Sequence, residues 1–442
     1  MQKQTTERTA SPFTVGGRGG WGRNRRLTID TSKDTQFSDA WLILGVLLSG
    51  IGVASNNGFF TASGVALWIV AGVGWLWNRS SLVGLRYERT LSEVRAFQGE
   101  TIELTLAVHN QKLLPLTWLR IRDTFPPELP LADKDLMLNP ATNLAEFHSF
   151  WMPGAYQHIR RTFAIRCTTR GFHHFGPATV TTGDGFGFFN TEAQWPMQQR
   201  LIIYPRLYSV AELGLPSKSP FGELRAAKSL FEDPLRTVGI REWQSSDSQR
   251  RVHWKATARQ QQLLSRVYEP SEEQQIQIFL NVTTMARHWH GYIPELQERA
   301  ISVAGSLAAL AIEERRATGM IANGALPGSD QPIRLLPGRS PNQLLHILEL
   351  LAAVTPFATT PIEQLLLTEA PRMPWGATLV VVTAIAHDDL LAALLDLAAA
   401  GRRLVLFTLA EEAPTQFLPN LSVFHLPHLI DDRIAPTLVT PS

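Results

Sequence analysis

Within the stretch "RRVHWKATAR", Arg250, Arg251, Lys255 and Arg259 stand beside His253 and Trp254. Guanidinium and ammonium groups recognise carboxylates and phosphates, and the indole adds a broad apolar face. The chemistry on offer is therefore recognition of an anion or an acidic surface, not bond-making. A helix capped at Asp247 would put Arg251, Lys255 and Arg259 at i, i+4 and i+8, one basic stripe, with Arg250, Trp254 and Ala258 in the adjacent row. The competing structural reading has Trp254 buried in a groove and the cations paired with Glu242, Glu269, Glu272 and Glu273.

Other reactive groups are few. The single cysteine, Cys167, excludes a disulfide framework and any Cys-based zinc site, and it fits a reducing compartment. A nucleophile set with His173, His174 or Asp184 can be written down. In the alternating run "RTFAIRC", however, Cys167 shares a face with Phe163 and Ile165 and reads as a core residue. The paired histidines read as turn decoration, since no further ligands at metal spacing accompany them. No Gly-x-Gly-x-x-Gly or phosphate-loop lysine occurs in the C-terminal part, so no cofactor is expected. No nucleophile–base constellation or pair of carboxylates in a glycine-framed cleft points to an enzyme. Lys plus Arg number 41 against 39 acids, so global basicity gives no argument for a nucleic-acid partner, none is expected, and any basic site must be local.

These groups need elements to position them. Between Asp39 and Arg79 the chain of 442 residues carries no charge. "FFTASGVALWIVAGVGWLW" is long enough to span a bilayer, "AWLILGVLLSGIGVAS" is at the short end, and "NNG" separates them as a turn. The expectation is a transmembrane helical hairpin over 40–78, with Trp41, Trp75 and Trp77 at its outer ends. The long charge-free run argues against a buried hairpin of a soluble protein, and the polar residues 1–39 argue against a signal peptide. Arg23, Arg25, Arg26 and Lys33 precede the hairpin and Arg79, Arg86 and Arg89 follow it. The positive-inside rule thus puts both termini in the cytoplasm of a two-span inner or plasma membrane protein. Residues 1–39, rich in Gly and Arg, read as a disordered basic tail. An RGG-like nucleic-acid role is less economical for it than attraction to anionic lipid.

Residues 85–207 alternate as antiparallel strands do: Ile102, Leu104, Leu106 and Val108 share one face of "TIELTLAV". Proline and glycine turns between the runs predict a β-sandwich. Residues 208–273 read as a linker holding the basic motif, with "LLSRVYE" extended. From 274 to 432 the apolar runs "QIQIFLNV", "TLVVVTAIA" and "RRLVLFTLA" alternate with helices over Pro294–Arg316, Asn342–Val354 and Asp388–Ala400, the last N-capped by Asp388. This pattern predicts a doubly wound α/β domain, whose ligands sit at the strand carboxyl ends. The fold class is α/β plus β.

The stretch "GIREWQSSDSQRRVHWKATARQQQLLSRVYEPSEEQQ" resembles the signature of the bacterial family known as domain of unknown function fifty-eight. Arg241, Trp243, Asp247, Arg251, Val252, Trp254, Lys255, Ala258 and Arg259 fall on its pattern, and "RGFHHFGPATVTTGDGFGFF" is similar to the family's upstream segment. The hairpin belongs to the same architecture. The resemblance implies a C-terminal domain similar to von Willebrand factor A domains and partners among MoxR-type AAA+ ATPases, in assembly or maturation of complexes, with no established activity. One departure matters. Metal-binding domains of that type end their first strand in Asp-x-Ser-x-Ser, where this chain has Asn281, Thr283 and Met285; Ala384 stands where another Asp is frequent. A hard cation needs anionic or hydroxyl oxygens, so no metal is expected. Asn281 and Thr283 remain candidates for binding a partner.

The expected function is a non-enzymatic membrane-anchored scaffold. It would bind protein through Arg241, Trp243, Asp247, Arg251, Trp254, Lys255 and Arg259 and through the strand end. The alternatives are a metal-dependent adhesion-type binding module and an enzyme of unrecognised type.

Overall fold

The computed structural model describes residues 38–131, 136–140, 144–185, 189–215, 232–245, 247–270, 275–285, 291–410 and 421–429. The expected basic tail and the side chain of Trp41 lie outside the described residues. Two helices come first, α1 (Ser38–Ala54) and α2 (Gly58–Ser81). Asn57 caps α2 by accepting a hydrogen bond from the Phe59 N–H, and Asn56 takes a left-handed φ of 52°, so the asparagines make the turn. Small residues let the helices touch: a Cβ on Gly64 would lie 2.6 Å from the Ser49 nitrogen and 2.8 Å from the Gly45 oxygen. Of the two, α2 is long and apolar enough to cross a membrane, and Phe59, Val65, Trp68, Ile69, Val73, Trp75 and Leu76 stand exposed along it.

Residues 85–204 form three sheets, not the two of a plain sandwich. Their strands are β1 (Leu85–Leu91), β2 (Arg95–Phe97), β3 (Thr101–Asn110), β4 (Leu119–Phe125), β5 (Met137–Asn139), β6 (Leu144–Trp151), β7 (His158–Arg166), β8 (Gly171–Phe175), β9 (Ala178–Gly183), β10 (Asn190–Trp195) and β11 (Gln199–Tyr204). The sheets run β1-β3-β7, β10-β9-β4-β6-β5 and β2-β11-β8, antiparallel except for the β2–β11 pair. Ile102, Leu104, Leu106 and Val108 all enter one core with Phe125, Trp151 and Phe175, as their alternation predicts. Cys167 lies in the same core. His173 and His174 sit in strand β8, not in a turn, and the buried His173 ring bonds the Thr169 carbonyl at 2.9 Å. Arg89, counted above among the flanking cations, is buried: its Nη1 donates to Asp123 Oδ1 at 2.5 Å, and Tyr87 donates to Oδ2 at 2.8 Å. Burial pushes Asp123 above the ordinary carboxyl range while Arg89 and Tyr87 pull it back.

Where a linker is expected, β12 (Glu232–Glu242) and β13 (Leu264–Pro270) pair antiparallel around α3 (Trp254–Gln260). A six-stranded sheet follows, built from β14 (Gln275–Asn281), β15 (Ala317–Ala325), β16 (Pro332–Gly338), β17 (Thr378–Thr383), β18 (Arg403–Thr408) and β19 (Leu421–His425). Its order is β16-β15-β14-β17-β18-β19, parallel throughout except for β16. Between its strands come α4 (Pro294–Glu313), α5 (Gln343–Ala353), α6 (Ile362–Glu369) and α7 (Asp388–Ala399). Helices α4 and α5 cover the face carrying Ile276, Ile278 and Leu280, while α6 and α7 cover that of Phe279, Val381 and Leu406. Burial on both faces explains the unbroken apolar runs. His387, not Asp388, is the N-cap of α7 and makes no side-chain capping bond; Asp388 stands inside the first turn, where its charge suits the helix dipole.

Candidate functional site

The basic motif folds differently from the single helix expected of it. Asp247 does not cap a helix: its Oδ2 accepts the Gln244 N–H at 3.0 Å and its Oδ1 accepts Arg241 Nη2 at 2.6 Å, closing a turn beside β12. The Gln244 N–H and the Arg241 guanidinium hold the Asp247 carboxyl below its ordinary value. Ser248 caps a short 3-10 turn over Gln249–Arg251. Val252 then bridges to Ser265 on β13, and the His253 N–H donates to Leu264 O at 2.8 Å. These long-range bonds break the helix before it can form through Arg251. Only at His253, whose Nδ1 accepts the Ala256 N–H at 3.1 Å, does α3 begin. It ends at Gln261 with a left-handed φ of 52°.

Two consequences correct the sequence reading. Arg251 stands outside α3, so the stripe shrinks to Lys255 and Arg259, one helical turn apart, both exposed and without an ion pair among the described residues. Trp254 is 68% exposed at the first position of α3, not buried in a groove. Ile240 and Leu263, also exposed, belong to the same segment. Beneath this knuckle, Trp243 donates its backbone N–H to Leu263 O at 2.9 Å, but its indole N–H is buried without a partner among the described residues. The side chain of Glu269, together with Glu272 and Glu273, lies outside the described residues.

The second set, Asn281 and Thr283, lies at the carboxyl end of β14. Strand order reverses between β14 and β17, the switch point where doubly wound sheets take their ligands. Asn281 is fully buried; its Nδ2 donates to Thr383 Oγ1 at 3.0 Å, and its Oδ1 accepts from Asn323 Nδ2 at 2.9 Å and the Thr283 N–H at 3.1 Å. Asn323 Oδ1 in turn accepts the Val282 N–H at 2.8 Å. Every polar atom of the Asn281 amide is engaged, every donor group is neutral, and Met285 brings a thioether. The set does not fit a hard divalent cation. Asn323 was missed from sequence because "ATGMIANGA" does not read as a strand; an asparagine inside an otherwise apolar run was the available signal. Beside the network, a crevice of about 500 Å³ opens between the ends of β14, β17 and β18 and the start of α4, lined by Thr284, Leu296, Arg299, Ala384, Ile385 and Leu409 among others. No hydrogen bond or ion pair among the described residues joins the knuckle to this end of the sheet.

Cys167 is 1% exposed, and burial, followed by the charges of Glu100 and Glu93, pushes its thiol up to about 11. Among the described residues none of His173, His174 and Asp184 is hydrogen-bonded to it; the His173 ring bonds the Thr169 carbonyl and Asp184 Oδ1 accepts the Phe189 N–H.

Residues 239–429 match the family described as protein of unknown function DUF58. The match begins in β12 and takes in the knuckle and the six-stranded sheet. The uncharacterised protein YeaD of Bacillus subtilis is 22% identical over 201 residues, covering 44% of this chain and 46% of that protein. The chain thus spans about half the length of the curated relative it matches. Similar solved structures include the CARDB domain of a Pyrococcus furiosus protein with two metal ions, 14% identical over 27% of this chain and 91% of that one, with a TM-score of 0.19. A component of a type I cohesin–dockerin complex from Clostridium thermocellum is 11% identical over 26% of this chain and 92% of that one, with a TM-score of 0.20. Likeness at these scores carries no argument about function.

Proposed function

We propose that the chain is a non-catalytic, membrane-tethered adaptor that presents the Trp254–Lys255–Arg259 knuckle to an acidic protein surface. The observation carrying this reading is the exposure of Trp254 on a cationic turn. A tryptophan left 68% in water is no member of the buried core, yet the surrounding hydrogen bonds fix the backbone around it. Exposed Trp and Arg are the residues that anchor protein interfaces, and the cations would steer an acidic partner. Family resemblance suggests a MoxR-type AAA+ ATPase as that partner. In this reading α1 and α2 cross the inner or plasma membrane as a hairpin with both termini cytoplasmic. The six-stranded sheet acts as a von Willebrand A-like domain whose neutral strand end at Asn281 and Thr283 binds without metal.

Co-purification from native membranes in mild detergent tests the knuckle. Trp254→Ala should lose an acidic partner that wild type retains, and so should a Lys255→Glu/Arg259→Glu double variant. Trp254→Ala should also keep its unfolding free energy within about 0.5 kcal/mol, as an exposed side chain allows. Equal recovery of partners by wild type and both variants would refute the docking role.

A further inference from the structure

The carboxyl end of the six-stranded sheet is acidic as well as apolar. Helices α4, α6 and α7 begin there, and their first turns carry Glu295, Glu363 and the pair Asp388 and Asp389. Such charges suit the helix dipoles. Glu363 meets His387 at 3.3 Å, whereas Glu295, Asp388 and Asp389 are exposed, their carboxylates without a hydrogen bond or ion pair among the described residues. Arg299 is the cation lining the crevice, and its Nη1 is taken up by the Leu429 carbonyl. Around these charges the surface is apolar. Ile293, Leu296, Ile385 and Leu409 wall the crevice of about 500 Å³, and Tyr292 and Phe357 stand exposed beyond Ile293 with ring centroids 6.0 Å apart.

The knuckle is the counterpart of this surface in both charge and shape. Trp254 is exposed at the start of α3, Ile240 and Leu263 extend the apolar surface of its segment, and Lys255 and Arg259 are exposed without an ion pair among the described residues. One face therefore offers an indole flanked by two cations. The other offers an apolar hollow flanked by three carboxylates, with a volume in the range that holds small ligands.

We propose that the acidic surface recognised by the knuckle is the strand end of a second copy of this chain. This rests on the docking role proposed above for the knuckle and names its partner. Trp254 of one copy enters the crevice of the next, where Arg299 meets the ring face as cations do. Lys255 and Arg259 then face Glu295, Asp388 and Asp389, opposite charges across one contact. Because the two faces differ, the contact runs head to tail, and it closes a ring or continues as a row of copies.

Analytical ultracentrifugation of the purified full chain in detergent, with no other protein present, tests this. Wild type should associate between roughly 1 and 100 μM and come apart as salt is raised. Trp254→Ala, Lys255→Glu/Arg259→Glu and Glu295→Lys/Asp389→Lys should each weaken self-association roughly tenfold or more. Mixing the two charge-reversed proteins should restore pairs, because the intact knuckle of one meets the intact crevice of the other. A variant that had simply failed to fold could not be rescued in this way. Wild type that stays monomeric up to roughly 100 μM would overturn the proposal. So would undiminished association of the charge-reversed proteins, and so would a mixture of them that forms no pairs. A monomeric wild type that still retains another acidic protein from native membranes, and loses it on Trp254→Ala, would overturn self-association while leaving the docking role in place.

Discussion

At the scale of single residues, position in the fold decides which reactive groups can act. Cys167 is the one thiol in the chain, yet it is sealed in the three-sheet core with its pKa pushed up to about 11. At pH 8 both protonation and burial oppose reaction, so native protein should resist iodoacetamide and react once unfolded in guanidinium. Rapid labelling of the native protein at pH 8 would mean the core reading is wrong. Trp254 shows the reverse case. Residue type favours burying a large aromatic, and no local pattern announces its exposure. It is left outside because Val252 bonds to Ser265 thirteen residues on and turns the chain there.

At the scale of elements, legibility follows the range of the forces involved. The alternation of β3, the apolar runs of β14, β17 and β18, and the helices α4, α5 and α7 are written locally and stand near where they are expected. Strand β15 was not legible, because two glycines and an asparagine interrupt it and its hydrogen bonds come from neighbours on both sides. The extended reading of "LLSRVYE" matches β13, while β12 and its pairing with β13 were missed, because the basic, polar segment reads as linker until tertiary pairing organises it. The basic motif was legible as a composition but not as a shape: the break before α3 was not read, because it comes from the bonds of Val252 and His253 to β13. The contact between α1 and α2 rests on glycines, which can be tested one at a time. Gly64→Ala should destabilise the protein in detergent by about 1–3 kcal/mol through overpacking against the α1 backbone. Gly72→Ala, where a Cβ meets nothing within 4 Å, should not. Equal melting of the two variants would remove the packing argument.

At the scale of the whole molecule, the three-sheet body and the six-stranded sheet are bolted together. Arg170, from the turn before β8, donates to Leu351 O at 3.0 Å and Val354 O at 3.1 Å at the end of α5, and it pairs with Glu298 on α4. Burial lowers its pKa to about 10, so it remains charged at neutral pH. Ile202 and Tyr204 of β11 share a core with Leu348 and Ala352 of α5, and Arg95 reaches Glu349 at 3.2 Å. Arg170→Ala leaves Glu298 and two carbonyls unpartnered, and about 3 kcal/mol of coupling should go with it. Calorimetry should then resolve two transitions where wild type shows one, and a single unshifted transition would show that the bolt is idle. The body is fastened to α2 as firmly. Lys112 Nζ donates to the carbonyls of Ser80 and Ser81, and Thr191 donates to Asn78 Oδ1 at 3.0 Å. Among the described residues these contacts tie the apolar helix to the largest sheet without a free joint: were α2 to span a bilayer, as proposed, the crevice at the strand ends would keep one height and one compass bearing. In that arrangement, tilting α2 to suit a thinner membrane would swing the crevice through the same angle.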